Sequence, residues 1–339
     1  MRPFGWSSAR TVHEAAAAAT ITVADAMAGG KSGVVVKAGG IDLLDLLKED
    51  LLAADKLLTL REISGLDAIA EERPGGMRIG AMATLAQIAG HPMIRKHYPA
   101  LSDAAGQSAS PQIRAVATLG GNLLQRPRCW YFRAAQHHCL RKGGGHCFAL
   151  SGENQYHAIF DNEPCAIVHP STAATVLVVL GARLEISQAS GALRRPRLED
   201  FFGAPDRDVL RENDLQPHEI LTAVHLPPLP SGARMAHLKL GEKDSFDWPL
   251  ADVAVLLDLA PDGGCRHASI VLGAAAPVPH RAKAAEQALI GKRVDEELAR
   301  QAGRAALEGA TPLSKNAYKL PLFETLVRRA LLQAAKEAG

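Results

Sequence analysis

The segment Pro227-Pro228-Leu229-Pro230-Ser231-Gly232 constrains the folding of this 339-residue chain more than any other stretch. Proline fixes φ and removes a backbone donor, so three of them in four positions can continue neither a helix nor an inner strand. The chain must build separate elements on either side of this break, and it is long enough for two cores. Upstream, residues 11–28 read as a helix with Thr11 as N-cap and Gly29-Gly30 as its end. A β-branched strand at 34–37 follows, then a glycine turn, then a helix over 42–50 with Leu43, Leu44, Leu46 and Leu47 on its apolar side. Residues 57–80 hold two strand-like runs around Pro74-Gly75-Gly76, 85–94 reads as a helix, and 174–187 as helix into strand. Downstream, runs at 251–259 and 269–275 flank Asp262-Gly263-Gly264 as a hairpin would, and amphipathic helices are expected at 281–289, 296–308 and 323–336. Strands first and helices afterwards predict a separate α+β unit at the C-terminus.

Charge and patterning exclude several functions. A net charge of +2 is too small to point to nucleic acid or to an anionic membrane surface. No run approaches the ~20 apolar residues that span a bilayer, and the first thirty residues lack the pattern of a secretory leader. The expectation is a soluble protein without a membrane or nucleic-acid partner, cytoplasmic by default.

The five cysteines are unevenly placed. Cys129, Cys139, Cys147 and Cys165 share one window with the spacing C-x9-C-x7-C-x17-C, while Cys265 stands apart. An odd count in a chain with no leader argues against a disulfide framework. Metal ligation competes with ordinary thiols in a long loop. The spacing matches neither a zinc ribbon nor a ferredoxin. Between Arg126 and Gly152 stand Arg126, Arg128, Arg133, Arg141 and Lys142 with no Asp or Glu, a surplus of cations that would suit an anionic iron–sulfur centre. Gly143-Gly144-Gly145 would let backbone N–H groups approach sulfur. His137, His138, His146 and His157 offer nitrogen ligands, so zinc fits the residues as well as iron does.

Two Gly-Gly turns could hold an anion, Ala38-Gly39-Gly40-Ile41-Asp42 and Thr118-Leu119-Gly120-Gly121-Asn122. Consecutive glycines free backbone N–H groups to converge, and a helix start adds its dipole. Neither G-x-G-x-x-G nor a P-loop occurs, so a nucleotide would need another mode of binding.

The order of AGGIDLLDLLK (38–48), IGAMATLAQI (79–88), QIRAVATLGGNLLQ (112–125), EILTAVHLP (219–227), LKLGEKDSFDWPLADVAV (238–255) and LGAAAPVPHRAKAAE (272–286) resembles the FAD-binding medium subunit of the xanthine dehydrogenase/carbon monoxide dehydrogenase family. The likeness runs from about residue 8 to the C-terminus. The cysteine window resembles an insertion in bacterial aldehyde oxidoreductases of this family that carries a [4Fe–4S] cluster; hydroxybenzoyl-CoA reductase has a similar one.

The resemblance implies a vanillyl-alcohol-oxidase-type FAD-binding domain over 1–228, in subdomains 1–55 and 56–228, with the cysteine insertion at 126–166 and a small α+β domain at 233–339. It implies that Val36, Lys37, Ala38, Gly39, Gly40, Ile41, Asp42 and Leu43 wrap the FAD diphosphate, with Thr118, Gly120, Gly121 and Asn122 opposite. Ser108 and Leu221 match cofactor-contacting positions, and Lys239 a lysine near the flavin ring. Cys129, Cys139, Cys147 and Cys165 would ligate the cluster. Two positions depart from the family: Thr172 stands where Asp is usual, and Ile41 where Thr is common, each removing a polar contact to FAD.

The resemblance further implies an electron-transfer subunit with no general acid, base or nucleophile of its own. Its partners would be a large molybdenum-cofactor subunit and a small [2Fe–2S] subunit, and a twin-arginine signal on one of them could carry the assembly to the periplasm. The competing expectations are a zinc-stapled interaction subunit that has lost FAD, a reductase-type flavin subunit, and a free-standing flavin oxidase.

Overall fold

The computed structural model describes residues 1–28, 32–243 and 246–336. Three sheets organise it. The first has strands β1 (Gly5–Ser8), β2 (Val34–Lys37) and β3 (Lys56–Thr59), all parallel in the order β1-β3-β2. Parallel neighbours need crossovers, and helices Val12–Ala18, Val23–Ala28 and Ile41–Lys48 supply them. Thr11 does cap the first helix: its Oγ1 accepts the Glu14 amide at 3.1 Å, and Glu14 Oε2 accepts the Thr11 amide at 3.3 Å.

The single helix expected over 11–28 is two. Thr20, Ile21 and Thr22 interrupt it, because consecutive β-branched residues disfavour helix and the hydroxyls bond elsewhere. Thr20 Oγ1 takes the Val34 amide at 2.9 Å, and Thr22 Oγ1 the Asp25 amide at 3.2 Å. The expected Gly29-Gly30 terminus lies outside the described residues. The helix expected over 85–94 is likewise divided into Leu85–Gly90 and Pro92–His97, since Pro92 forces His91 out of helical backbone.

The second sheet contains β4 (Ile69–Glu72), β5 (Gly76–Gly80), β6 (Arg183–Gln188), β7 (Leu193–Arg194) and β8 (Glu219–Leu226), antiparallel in the order β4-β5-β8-β6-β7. The third contains β9 (Ala233–Leu240), β10 (Ala251–Leu259), β11 (Cys265–Gly273) and β12 (His280–Arg281), in the order β12-β11-β10-β9. The β10–β11 hairpin turns where Gly263 adopts φ +84° and Asp262 Oδ1 accepts the Gly264 amide at 2.9 Å. β11 begins four residues earlier than expected; Cys265 points inward while Arg266 and His267 face water.

Helices Lys283–Leu289, Glu296–Ala305 and Lys319–Lys336 share a hydrophobic core with this sheet. Helix Thr172–Val179 is buried at every position. It gathers Ile79 of β5, Val224 of β8 and Ala254 and Val271 of the third sheet into one core, so elements on either side of the proline segment pack together. No described helix is long and apolar enough to cross a membrane.

Candidate functional site

Strand β2 ends at Lys37 and the chain turns through Ala38, Gly39 and Gly40 into helix Ile41–Lys48. Gly40 sits at φ 88°, a left-handed conformation that costs other residues about 1–2 kcal/mol. A Cβ on Gly39 would lie 2.2 Å from the Val116 carbonyl oxygen, so the first glycine turn rests directly on the backbone leading into the second. A Cβ on Gly120 would come within 3.1 Å of Ala81. The two turns thus meet as parts of one wall of a cavity of about 520 Å³, within the ~300–1,000 Å³ typical of ligand clefts.

The turns contribute differently. No acceptor is found among the described residues for the amides of Ile41, Asp42 and Leu43, and the first bond at this helix start is Leu44 N to Gly40 O at 2.9 Å. These open amides, with the helix dipole behind them, form a cradle for an anion. The second turn was expected to offer amides as well, and it does not. Leu119 donates to Ala83 O and Gly120 to Ala81 O, both at 2.8 Å. Gly121 donates to Thr118 Oγ1 at 3.2 Å, and Asn122 to Thr118 O at 2.8 Å. Turning straight into the short helix Leu119–Leu123 consumes them. This side supplies shape and the Asn122 side chain, whose Oδ1 takes the Ser171 hydroxyl at 2.5 Å while Nδ2 has no described partner.

Of the other expected cofactor residues, Val36, Ser108, Thr172, Leu221 and Lys239 all line this same cavity, as do Ala38 to Leu43 and Thr118, Gly120, Gly121 and Asn122. Lys37 does not. Its side chain lies 5.5 Å from the Trp6 ring and its Nζ donates to Ala38 O at 3.3 Å. Lys239 Nζ donates to Gln107 O at 3.0 Å and Asp247 O at 2.6 Å; burial lowers its pKa, with Asp252 and Asp247 opposing.

Sequence reasoning missed Arg126, Arg128, Glu212 and Trp248, which also line the cavity. Arg128 stacks 4.7 Å from the Trp248 ring. The basic run was assigned to the cysteine centre, and most of it points elsewhere. Asp42 collects the Arg126 amide at 2.8 Å, Arg128 at 2.9 Å and Arg133 at 2.6 Å, with Asp45 sharing the last two at 3.7 and 3.0 Å. Carboxylates distant in sequence claim these arginines, and only Arg141 and Lys142 act on the thiols.

Cys129, Cys139, Cys147 and Cys165 line one small pocket with Phe132, Arg141, Phe148 and His157. Each sulfur faces a backbone amide two residues ahead: Tyr131, Arg141, Ala149 and Ile167 in turn. Such N–H groups stabilise thiolate. The glycine triplet works indirectly here. Gly143 and Gly144 donate to Leu140 O and Cys139 O, both at 3.0 Å, closing the turn that follows Cys139.

Burial pushes the Cys129 thiol up to about 12. The hydrogen bond between Cys147 and Cys165 raises the former and lowers the latter, Arg141 assisting at 3.5 Å. His157 Nε2 lies 3.2 Å from Cys129 Sγ, and burial takes this imidazole down to about 4. Among the described residues, no group of three or more His, Cys, Asp or Glu is placed to hold a metal ion as the side chains stand.

Comparisons with known proteins agree with this layout. Residues 2–229 match the FAD-binding domain in molybdopterin dehydrogenase, and residues 236–334 the CO dehydrogenase flavoprotein C-terminal domain. The chain is 34% identical over 303 residues to the aldehyde oxidoreductase FAD-binding subunit of Escherichia coli, covering 89% of this chain and 91% of that one. Quinoline 2-oxidoreductase from Pseudomonas putida 86 superposes with a TM-score of 0.74 at 25% identity, covering 99% of this chain and 98% of the other. CO dehydrogenase from Oligotropha carboxidovorans shares the fold, with a TM-score of 0.76 at 24% identity and 99% coverage of both chains. The chain belongs to the FAD-binding medium subunits of the molybdenum hydroxylase family.

Proposed function

We propose that this chain is the electron-transfer flavin subunit of a molybdenum-dependent aldehyde oxidoreductase or hydroxylase. In this reading it receives electrons from [2Fe–2S] clusters of a small partner subunit, a large molybdenum subunit oxidises the substrate, and an external acceptor takes the electrons away. The observation that carries it is the cavity in which an open helix start and a closed glycine turn meet. FAD, when bound, would take up electrons one at a time from single-electron carriers and release them singly or in pairs.

The residues supply binding and electrostatics. The Ile41, Asp42 and Leu43 amides would take diphosphate oxygens, and Asn122 Nδ2 would add a donor from the adjoining turn. Lys239, held by the Gln107 and Asp247 carbonyls on the cavity wall, would supply a cation that stabilises the negative charge arising on reduction. Thr172 and Ile41 leave more of the FAD contact to backbone donors.

Cys129, Cys139, Cys147 and Cys165 are proposed to hold a [4Fe–4S] cluster. The donor set fits, with four sulfurs on one pocket and an amide aimed at each. A tetrahedral zinc needs four donors within ~2.3 Å of a single point, whereas a cubane takes one thiolate at each of four corners. The pocket encloses about 10 Å³, so Cys147 and Cys165 would part to admit a cluster.

The full chain as purified should show flavin absorbance and release FAD on denaturation, and carry iron with acid-labile sulfide. A colourless protein without FAD would sink the flavin assignment. Stoichiometric zinc without sulfide would replace the cluster with the zinc-stapled reading.

A further inference from the structure

The two sites are joined through the interior. Glu212 is 6% exposed and divides its carboxylate, with Oε1 2.6 Å from Arg141 Nη1 and Oε2 3.2 Å from Arg126 Nε. Arg141 is 1% exposed, lines the thiol pocket and donates from Nε to Cys165 Sγ at 3.5 Å. Arg126, 2% exposed, lines the large cavity together with Glu212, and its own amide holds Asp42 Oδ2 at 2.8 Å. Asp42 is the second residue of the helix whose first amides open into that cavity. The path from a thiol sulfur to the anion cradle therefore runs Cys165, Arg141, Glu212, Arg126, Asp42, with every link a hydrogen bond or ion pair of 3.5 Å or less.

Two features suggest that this path serves more than packing. The triad carries two guanidinium groups and one carboxylate, and the neighbouring Asp42 is itself paired with Arg128 and Arg133, so the buried positive charge at the Arg141 end is one that an anion would offset. The Nη2 atoms of both arginines are also buried without a hydrogen-bond partner. A purely structural pair would be satisfied at both ends. This one leaves donors without a hydrogen bond on both arginines, on Arg141, which lines the thiol pocket, and on Arg126, which lines the cavity.

We propose that the Arg126–Glu212–Arg141 triad couples the two sites, so that the state of the cysteine centre sets the affinity for FAD. The inference rests on the proposal that the four cysteines hold an anionic iron–sulfur centre. Anionic sulfur beside Arg141 orients that side chain, which fixes the Glu212 carboxylate. A fixed Glu212 fixes Arg126 and through its amide Asp42, so the dinucleotide meets a wall already ordered. Coupling between binding sites is reciprocal, so bound FAD strengthens retention of the cluster by the same factor.

The test measures the FAD dissociation constant by flavin fluorescence on the full chain, before and after anaerobic removal of iron by a chelator, with iron and sulfide assayed in each sample. Removing iron should weaken FAD binding about 5-fold or more, the lower end of typical coupling. Arg141→Lys keeps the charge but is too short and single-headed to bridge Cys165 and Glu212. It should retain iron, bind FAD as weakly as the iron-depleted wild type, and lose no further affinity when iron is removed. A destabilised fold would lower affinity without abolishing the dependence on iron, and the melting temperature of the variant checks this. Iron present in the wild type with FAD affinity indifferent to its removal overturns the coupling and leaves the centre standing. A wild type purified without iron or sulfide overturns the centre and the coupling together.

Discussion

The cavity and the cysteine pocket both rest on short turns, yet they are built in opposite ways. The cavity keeps its donors free: the amides of Ile41, Asp42 and Leu43 face about 520 Å³ of open space, and Asn122 Nδ2 has no described partner. The pocket encloses about 10 Å³ and its sulfurs already face amides, a cation or one another. An open site suits a large ligand that brings its own acceptors; a closed one suits a small inorganic group held by covalent bonds to sulfur. The cavity is therefore expected to fail by loss of shape and the pocket by loss of a ligand.

Gly39→Ala tests shape, and the largest effect is expected there. The new Cβ would meet the Val116 carbonyl at 2.2 Å, and backbone on both sides leaves little room to yield. Separating the two turns should cost about 3 kcal/mol or more of FAD binding, roughly 100-fold, read as loss of flavin from the purified protein. Retention of full flavin would show that the turns need not touch. Cys139→Ser tests the ligand. It should remove iron and sulfide and lower the melting temperature by roughly 5 °C, while a flavin spectrum persists at saturating FAD. Unchanged iron content would remove Cys139 from the ligand set.

The asymmetry also explains what the sequence made legible. The cavity's two turns could be read because each is a short local pattern, and glycine pairs before apolar helices have few physical uses. That one turn would spend its amides on Ala81, Ala83 and Thr118 was not readable, because two of those acceptors, Ala81 and Ala83, lie on a distant segment of the chain. Local composition misdirected the account of the arginines. Five cations without an acid look like a setting for an anionic centre, but Asp42, Asp45 and Glu212 reach in from elements far along the chain. The four cysteines were legible as a group, and their convergence on one pocket follows from turns at Cys129 and Cys139 that no spacing rule encodes. The division of the helix at Thr20-Ile21-Thr22 was visible in three β-branched residues, and the surrounding alanine run outweighed it.

A smaller effect is expected where the pocket's loop meets the C-terminal helices. Lys319 is fully buried, and its Nζ donates to the carbonyls of His157 and Ala274. Burial holds it down to about 7 from an ordinary 10.5. The unfolded chain therefore binds more protons between those values, so stability rises with pH across that window and is lost as pH falls back toward 7. The slope is at most about 1.4 kcal/mol per pH unit. Lys319→Met should flatten it, measured as denaturant midpoints of both proteins between pH 7 and 10. Parallel pH profiles would mean that the ammonium is not held out of water.

The smallest effect bears on whether open amides suffice. Ile41 is the first residue of its helix, lines the cavity and is 39% exposed. Ile41→Thr places a hydroxyl beside three unclaimed amides without disturbing a core. One added hydrogen bond to a diphosphate oxygen is worth about 0.5–1.5 kcal/mol, so FAD should bind roughly 2- to 10-fold more tightly. An unchanged dissociation constant would mean that the backbone cradle already satisfies the diphosphate on this side. The contrast between a site of free donors and a site of committed ones would then be sharper than the residue types imply. Weaker binding would place the diphosphate away from the helix start, and the open amides would need a different ligand.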